Sequence, residues 1–417
     1  MNIFVESLKQ MIKSRPFIQR ELSLVARLYE MSSDELRFYS EARFLKLFNL
    51  AASKSSFYRN LLITSGIRPE DITSLEDLAL LPILTKELIK EAGQQLLTVP
   101  GYKAVSASTS GSTGSPLTIW QNYEAIRLEQ AYLFTRRLQC GFCYGDRLVS
   151  IRGNLPHSIF KKFIPASNTL HLSSYNLNEH SCGDYFKALS EFRPKAIEGY
   201  PSSLYALAIF FANSDIRLEI PICFTASESL LEHQRRKIEE VFNTKIFDSY
   251  GLTERTISLV QLPGSDSYLE EPGYGIVEYG KDNIITTGLI NFSFPMIRYR
   301  VEDVVERDSS GSIVRIVGRN EDYIICKDGT KVGRLDHIFK GITGVSAAQL
   351  LQKNPGTLDI RVVPETVESV IDQVKIRKNL ALRINEGNLE VAFTFIKYEQ
   401  LIKGNRDKVP FVIKKLQ

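Results

Sequence analysis

The spacing of hydrophobic and polar positions changes along the chain. Residues 1–65 carry apolar side chains three and four positions apart, as in ELRFYSEARFLKLFNLAAS, and this spacing predicts amphipathic helices. At 102–108 and 117–120 the pattern becomes that of short strands. Another helix is predicted from Tyr123. Four apolar residues are expected on one face of it: Leu128, Ala131, Phe134 and Leu138.

Short apolar segments then alternate with amphipathic ones as far as residue 251. In chain order these segments are RLVSIRG, DYFKALSEF, KAIEGY, SSLYALAIFF, PICFTAS, HQRRKIEEVF and KIFDSYG. Alternation of strand-like and helix-like segments predicts an α/β architecture in which helices cover the sheet. From about 275 the pattern is rich in strands, and a smaller α/β segment follows, with a helix predicted over 366–380.

The length of 417 residues exceeds that of a typical single domain. The change of pattern near Arg319 predicts a boundary there. We therefore expect a large N-terminal α/β domain with several sheets over 1–318, and a small C-terminal α+β domain over 319–417. The second segment, of about one hundred residues, has a usual domain size.

Charge and hydropathy exclude several classes of function. The net charge is +4, and basic residues are mixed with acidic ones, as in RRKIEE at 235–240. A nucleic-acid partner is not expected, because it requires a clustered basic face. The N-terminus lacks the apolar region of a signal peptide, and the longest apolar run, 204–212, is too short to span a bilayer. We expect a soluble cytoplasmic protein with no membrane partner.

The cysteines do not indicate a disulfide framework. They are five in number and widely spread, which favours a reducing compartment. The one close pair is Cys140 and Cys143. A zinc site needs a second pair of ligands, and His171, His180 and Cys182 are irregularly spaced, so we interpret the close pair as structural.

The segment SASTSGSTGSPL at 106–117 has the composition of a ligand-binding loop. Nine of its twelve residues are Ser, Thr or Gly. Gly111 and Gly114 let the backbone come close to a ligand, and amide and hydroxyl donors suit phosphate oxygens. The Walker pattern is absent, which excludes a P-loop kinase or GTPase. On composition alone, a flexible hairpin loop is the other interpretation.

Further polar motifs follow this loop in a definite order: DSYGLTE at 248–254, RYRVED at 298–303, GRNEDYII at 318–325 and DGTKV at 328–332. In this order and spacing they resemble the adenylate-forming enzymes, which include acyl-CoA synthetases, luciferases and peptide-synthetase adenylation domains. LPILTKELI at 81–89 and IEGYPSSLYALA at 197–208 resemble most the phenylacetate–CoA ligases and their relatives encoded with capsule genes. The resemblance is strongest over 75–335.

The resemblance implies a nucleotide site. The residues that would grip the β- and γ-phosphates of ATP are Ser110, Gly111, Ser112, Thr113 and Gly114. Those that would lie along the nucleotide and the acyl phosphate are Ser249, Tyr250, Gly251 and Thr253. Ala226, Ser227 and Glu228 would line the adenine, and Asp303 would accept hydrogen bonds from the ribose hydroxyls. Arg319 would lie at the head of a hinge, with Asp322 as the hinge residue.

The resemblance also implies a catalytic set. Glu254 would bind Mg²⁺, and Thr253 would act beside it. Lys408 is the best match to the family's C-terminal catalytic lysine, although Asp407 replaces the usual glycine and Pro410 the usual arginine. Three other lysines compete for this role: Lys403, Lys414 and Lys415. Val301–Glu302 in place of Thr–Gly before Asp303, and the lack of a lysine in the phosphate loop, are further departures.

The implied function is ATP-dependent activation of a carboxylic acid to acyl-AMP, followed by transfer to coenzyme A. The required small molecules are ATP, Mg²⁺, the acid and coenzyme A. Tyr200, Pro201 and His157 are expected at the acid pocket. One alternative is transfer to an amine or a carrier protein, and a second is a non-catalytic nucleotide-binding relative. The sequence does not decide which acid, which acceptor or which oligomeric state applies.

Overall fold

The structure of the protein is a computed structural model. It describes residues 18–108, 117–152, 155, 159–174, 177, 181–227, 230, 232–280, 283–301, 303–319, 323–333, 335–339, 342, 345–364, 369–384, 387–397, 400–402 and 411–414. The α-helices are α1 (Gln19–Glu30), α2 (Ser33–Lys54), α3 (Ser56–Thr64), α4 (Lys86–Ala92), α5 (Tyr123–Gln139), α6 (Cys182–Phe192), α7 (Pro201–Asn213), α8 (Glu232–Phe242) and α9 (Gln373–Ala381).

The strands fall into six sheets. They are β1 (Val105–Ser108), β2 (Thr118–Gln121), β3 (Leu148–Arg152), β4 (Lys161–Ile164), β5 (Thr169–Ser173), β6 (Ala196–Gly199), β7 (Ile222–Ala226), β8 (Lys245–Gly251), β9 (Ser258–Val260), β10 (Leu269–Glu270), β11 (Gly275–Tyr279), β12 (Ile284–Gly288), β13 (Tyr299–Val301), β14 (Asp303–Arg307), β15 (Ile313–Arg319), β16 (Tyr323–Ile325), β17 (Lys331–Gly333), β18 (Val345–Gln352), β19 (Thr357–Pro364), β20 (Glu390–Phe395) and β21 (Val412–Lys414).

The central sheet has eight strands in the order β10-β9-β8-β7-β6-β3-β5-β4. Strands β5, β3, β6, β7 and β8 are parallel, and the flanking strands are antiparallel. Parallel strands require crossover connections, and here these include α6, α7 and α8. The predicted α/β class is confirmed. Strands β4 and β5 were not predicted.

Helix α5 begins at the predicted residue, Tyr123, but its predicted apolar face is not buried along its whole length. Asn122 caps it by accepting a hydrogen bond from the Ala125 amide at 2.9 Å. Leu128 and Ala131 are buried as expected, whereas Leu138 is 60% exposed, so its prediction was wrong. Ten residues after Leu128, Leu138 has turned about 80° around the helix and lies beyond the covered face.

One hydrophobic core joins the N-terminal helices to the strands after residue 275. Phe44 of α2, Ile119 of β2 and Tyr299 of β13 belong to one cluster of buried side chains. Leu84 forms a parallel bridge to Tyr299. Its amide donates to the Arg298 carbonyl at 2.9 Å, and its carbonyl accepts from the Arg300 amide at 2.9 Å. The segment that precedes α4 is therefore fixed beside β13.

The C-terminal segment has its own hydrophobic cluster, in which every buried member falls between Ile324 and Val412. Its four-stranded sheet has the order β20-β19-β18-β21. The predicted helix over 366–380 begins only at Gln373, because Asp372 caps it through the Lys375 amide at 2.8 Å. The described residues 369–372 are not helical, so the predicted start was wrong. The boundary at 319 stays a prediction, and the separate cluster supports it.

No helix in the described part of the chain combines the length and the apolarity that crossing a membrane requires. The five cysteines are free thiols, and four of them are buried.

Candidate functional site

The carboxyl ends of β7 and β8 bring two predicted segments together. The strands are parallel, with Thr225 opposite Asp248 and Ala226 opposite Ser249. Ser227, directly after β7, has a φ of +70°, a left-handed conformation that non-glycine residues seldom adopt. In open parallel sheets ligands bind outside the carboxyl ends of the strands. This edge is therefore where a ligand site is expected.

Tyr250 joins this edge to the start of β14. Its hydroxyl donates a hydrogen bond to Oδ2 of Asp303 at 2.7 Å. Asp303 is buried, with 7% of its surface exposed. A buried carboxylate requires hydrogen-bond donors, and the tyrosine hydroxyl supplies one. Gly251 and Thr253, which follow Tyr250, are exposed at the same turn.

Glu254 is the second buried carboxylate of this region, with 8% of its surface exposed. The Tyr299 hydroxyl donates to its Oε1 at 3.3 Å. Burial raises the pKa of Glu254; the Tyr299 hydrogen bond and the charge of Lys86 lower it, and the charge of Asp303 raises it. Asp303 and Lys86 therefore each lie within electrostatic reach of Glu254.

Lys86 owes its place to the segment that pairs with β13. It is the first residue of α4, whose N-cap is Thr85, and the Thr85 hydroxyl accepts from the Leu88 amide at 3.3 Å. The motif LPILTKELI indicated family resemblance but no role for Lys86. A role was not evident because the contact of this segment with β13 joins positions more than two hundred residues apart.

Arg298 ties β13 to β11 and to the segment that precedes α4. Its guanidinium donates to both carboxylate oxygens of Glu278, at 3.0 and 2.8 Å, and to the carbonyls of Ala79 and Leu81, at 2.8 and 2.7 Å. Its φ is +53°. A bidentate pair of this kind gives directional rigidity. Arg298 thus holds the strand that carries Tyr299 against the segment that carries Lys86.

Asp248, at the centre of β8, bonds to side chains of neighbouring segments. It is buried and accepts hydrogen bonds from the hydroxyls of Thr225 and Tyr268. Burial raises its pKa to about 6, although these hydrogen bonds lower it. Asp248 therefore ties β8 to β7 and to the segment before β10.

A small cavity of about 50 Å³ lies between α5 and the strands β7 and β8. Ala226 and Ser249 line it, together with the buried ion pair of Arg137 and Glu198. Tyr200 and Pro201, which the structure describes, are not among its lining residues. Tyr200 is instead the N-cap of α7, and Pro201 is its first residue.

Comparison with known proteins finds relatives in sequence but no matching family model. No family model matches the chain. It is 26% identical over 305 residues to protein CapK of Staphylococcus aureus, a match that covers 68% of this chain and 67% of CapK. It is 23% identical over 366 residues to the phenylacetate-coenzyme A ligase of Thermus thermophilus, covering 80% and 81%, and 22% identical over 324 residues to that of Pseudomonas putida, covering 71% and 73%.

The fold matches solved structures of an acyl-CoA ligase. With 2-hydroxyisobutyryl-CoA ligase in the postadenylation state, in complex with R3-HIB-AMP, the TM-score is 0.59 at 16% identity over 92% of this chain and 90% of that one. The same ligase with 2-HIB-AMP and CoA in the thioesterification state gives 0.58 at 16% identity over 93% and 91%. The chain therefore has the fold of the adenylate-forming acyl-CoA ligases, and its sequence is similar to CapK and to the phenylacetate-coenzyme A ligases.

Several residues predicted for this superfamily's site lie outside the described residues. They are Ser110, Gly111, Ser112, Thr113, Gly114, His157, Glu228, Asp322 and Lys408. The strands that flank the predicted phosphate loop are described, and their last pair is Ser108 and Thr118. The backbone of Arg319 lies opposite Asp303 in the pair β14–β15. Lys414, a competitor of Lys408, has its ammonium 3.2 Å from the centroid of the Tyr323 ring.

Among the described residues no group of three or more His, Cys, Asp or Glu side chains could hold a metal. Glu254 is thus a single carboxylate without a cage of others. Mg²⁺ is commonly held by one or two carboxylates and by substrate phosphates, and a lone buried carboxylate fits that mode of binding.

Proposed function

We propose that this protein activates a carboxylic acid as acyl-AMP and then transfers the acyl group to coenzyme A. The observation that carries the proposal is the convergence of Tyr250, Glu254 and Asp303 at the carboxyl edge of the central sheet, with the Tyr250–Asp303 hydrogen bond at 2.7 Å. The ligases to which the chain is similar in sequence or fold support the reaction class.

The proposed nucleotide contacts follow from donor and acceptor chemistry. Asp303 has acceptors only, and a ribose has two hydroxyl donors, so this carboxylate suits the sugar. The backbone of Ala226–Ser227 would line the adenine, where the left-handed turn at Ser227 directs the chain away from β7. The Ser110–Gly114 loop would grip the outer phosphates.

Glu254 is the proposed ligand of Mg²⁺. Its burial disfavours the charged carboxylate, and a bound cation would offset that cost. The metal would neutralise charge on the phosphate oxygens. The residues of the chain that act beside it are Lys86, whose charge already acts on Glu254, and Lys408, whose role rests on family resemblance.

The chemistry consists of an adenylyl transfer followed by an acyl transfer at one site. In the first, a carboxylate oxygen of the acid bonds to the α-phosphorus of ATP and pyrophosphate leaves. In the second, the thiolate sulfur of coenzyme A bonds to the acyl carbon and AMP leaves. Cationic side chains aimed at the phosphates stabilise the charge that develops in the first step. Because ATP and coenzyme A are cytoplasmic metabolites, we expect the enzyme in the cytoplasm.

The C-terminal segment is the proposed lid, with the boundary at 319 and the hinge at Asp322. Its separate hydrophobic cluster would allow it to move as a unit. Hinges concentrate changes of φ and ψ in a few residues. The segment Asp328–Val332, with Gly329 at a φ of +83°, is proposed to face the acceptor in the second step.

Tyr200, Pro201 and His157 stay the proposed residues of the acid pocket, on the strength of the family resemblance. The cavity of about 50 Å³ at Ala226 and Ser249 is lined by neither Tyr200 nor Pro201, so its volume does not indicate the size of the acid.

The test is ATP–pyrophosphate exchange with a panel of aryl, acyl and amino acids. An Asp303→Asn variant should raise the KM for ATP roughly tenfold or more, because a hydrogen bond to a charged group contributes about 1.5–3 kcal/mol. Asp266→Asn, at a side chain that is 98% exposed, is the matched control. Absence of exchange with every acid, while ATP still binds, would favour the non-catalytic alternative.

Acceptor choice is tested separately. Acyl-AMP is supplied with coenzyme A, with an amine or with a carrier protein, and the acylated product is measured. Product with coenzyme A alone supports the proposal, and product with an amine or a carrier alone replaces its second step.

A further inference from the structure

A cleft much larger than the cavity at β7 and β8 lies between α1, α2 and α5, with a volume of about 910 Å³. Five basic side chains line it: Arg20, Arg27, Arg43, Lys46 and Arg127. Only two acidic residues, Glu21 and Glu124, contribute to the same described lining. The excess of positive charge is local, because the whole chain carries a net charge of only +4.

One of the two acids is already engaged. Arg127 donates from Nε to Glu21 Oε1 at 2.8 Å. Within the described part of the chain, no residue makes a hydrogen bond or an ion pair with the guanidinium of Arg20 or Arg27. With the Arg127–Glu21 pair neutral, four cations face one remaining carboxylate, that of Glu124. Such an arrangement is self-repulsive and attracts anions.

Arg43 is held at the wall of the cleft by contacts with the segment after β12. Its Nη2 donates to the Leu289 carbonyl at 2.7 Å, and its guanidinium lies 4.4 Å from the Phe292 ring centroid. Its Nε is buried and has no hydrogen-bond partner among the described residues. Because this Nε is shielded from solvent, Arg43 contributes its positive charge to the cleft rather than this donor.

The charges of Arg27 and Arg43 both act on the hydroxyl of Tyr39. Burial raises the pKa of the Tyr39 hydroxyl, whereas the charges of Arg43 and Arg27 lower it. Arg43 is on α2 and Arg27 is on α1, so charges from both helices reach the same hydroxyl. Arg20 and Arg27 are seven residues apart on α1, which places them on one face about 10 Å apart.

The cleft is separate from the proposed nucleotide site. Strand β2 runs from Thr118, beside the phosphate loop, to Gln121, about 10 Å away along an extended strand. The cleft is lined by Glu124, Arg127 and Leu128 of the helix that follows. Residues 1–17 carry Lys9, Lys13 and Arg15 against Glu6, so their charge does not complement the cleft.

We propose that this cleft binds a small molecule with two or more phosphate groups. Its concave shape and volume suit a small ligand. Arginine binds phosphate oxygens in a bidentate manner, and the spacing of Arg20 and Arg27 suits two separate phosphate groups. The proposal does not depend on the proposed ligase activity.

The test is calorimetric titration at physiological salt with two probes, inorganic tripolyphosphate and adenosine 3′,5′-bisphosphate. The double variant Arg20→Gln/Arg27→Gln is compared with Arg217→Gln/Arg236→Gln, which makes the same charge change at side chains 53% and 73% exposed. We expect at least a tenfold loss of affinity for one probe, or loss of one binding site per chain, in the first variant only. The better probe identifies the source as an inorganic or a nucleotide phosphate.

Unchanged binding in the first variant, equal losses in both variants, or no binding of either probe by the unaltered protein would overturn the proposal. ATP–pyrophosphate exchange is measured in parallel. An unchanged KM for ATP in Arg20→Gln/Arg27→Gln, together with the lost binding, separates this cleft from the nucleotide site. Failure of exchange in every variant would affect only the proposed ligase function.

Discussion

The hydroxyl of Tyr250 donates a hydrogen bond to Oδ2 of Asp303 at 2.7 Å, across 53 positions of sequence. The contact joins the end of β8 to the start of β14, and it places a tyrosine donor on the carboxylate that is proposed to bind ribose. Nucleotide binding should therefore depend on both side chains.

Tyr250→Phe removes this donor and leaves the ring. We expect the KM for ATP to rise about fivefold, since a net hydrogen bond contributes about 1 kcal/mol. Tyr279→Phe is the matched control, because it removes a similar hydrogen bond, 2.7 Å to Glu270, away from the site. Equal KM values in the two variants would argue against a role for Tyr250 in orienting Asp303.

Lys86→Gln removes a charge that lowers the pKa of Glu254. The pKa of Glu254 should then rise further above its usual value. If the ionised carboxylate binds Mg²⁺, the acid limb of the kcat/KM profile should move to higher pH. Lys90→Gln, on the same helix, serves as the control. A profile that moves to lower pH, or not at all, would contradict the coupling.

Asp248→Asn tests the buried carboxyl of β8. Its folded pKa of about 6 exceeds the usual 3.8, so the folded state binds the proton more tightly. The stability that this group contributes is present below pH 4 and is lost as the pH rises to about 6. The unfolding free energy of the variant relative to the unaltered protein should rise across this window by on the order of 3 kcal/mol. Denaturant unfolding at pH 4 and pH 7 measures it, and a constant difference would refute it.

Gly275→Ala tests the backbone behind Glu254. A Cβ at Gly275 would lie 2.2 Å from the carbonyl oxygen of Thr256, so the backbone must shift. We expect the free energy of unfolding to fall by about 1–3 kcal/mol. We also expect Mg²⁺-dependent turnover to fall. Gly101→Ala, whose Cβ would meet nothing closer than 3.6 Å, should behave as the unaltered protein does. Full activity in Gly275→Ala would show that the turn tolerates the shift.

Lys408→Ala tests the proposed catalytic lysine. It should stop adenylation but still convert supplied acyl-AMP to acyl-CoA, because only the first step needs its charge at the phosphates. Lys414→Ala is the control, since the Lys414 ammonium already lies over the Tyr323 ring. The two half-reactions are measured separately. If Lys414→Ala stops adenylation and Lys408→Ala does not, the assignment passes to Lys414.

Periodicity predicted most of the helices and strands that surround the site, among them α5, β7 and β8. It was wrong at Leu138, where the covered face of α5 ends, and at residues 369–372, where Asp372 delays the start of α9. It did not predict β4 and β5. Neighbouring elements decide which face of a helix is covered, and side-chain caps decide where a helix begins.

Local sequence patterns were enough to predict the α/β class, the order of the motifs and the chemical types at the site, because these depend on residues close together in the chain. The tertiary structure alone decided that Tyr250 contacts Asp303, that Tyr299 contacts Glu254 and that Lys86 acts on Glu254. Such contacts join segments that are distant in sequence. The pairing of Leu84 with β13 and of β7 with β8 brings them together, and no local pattern encodes that pairing.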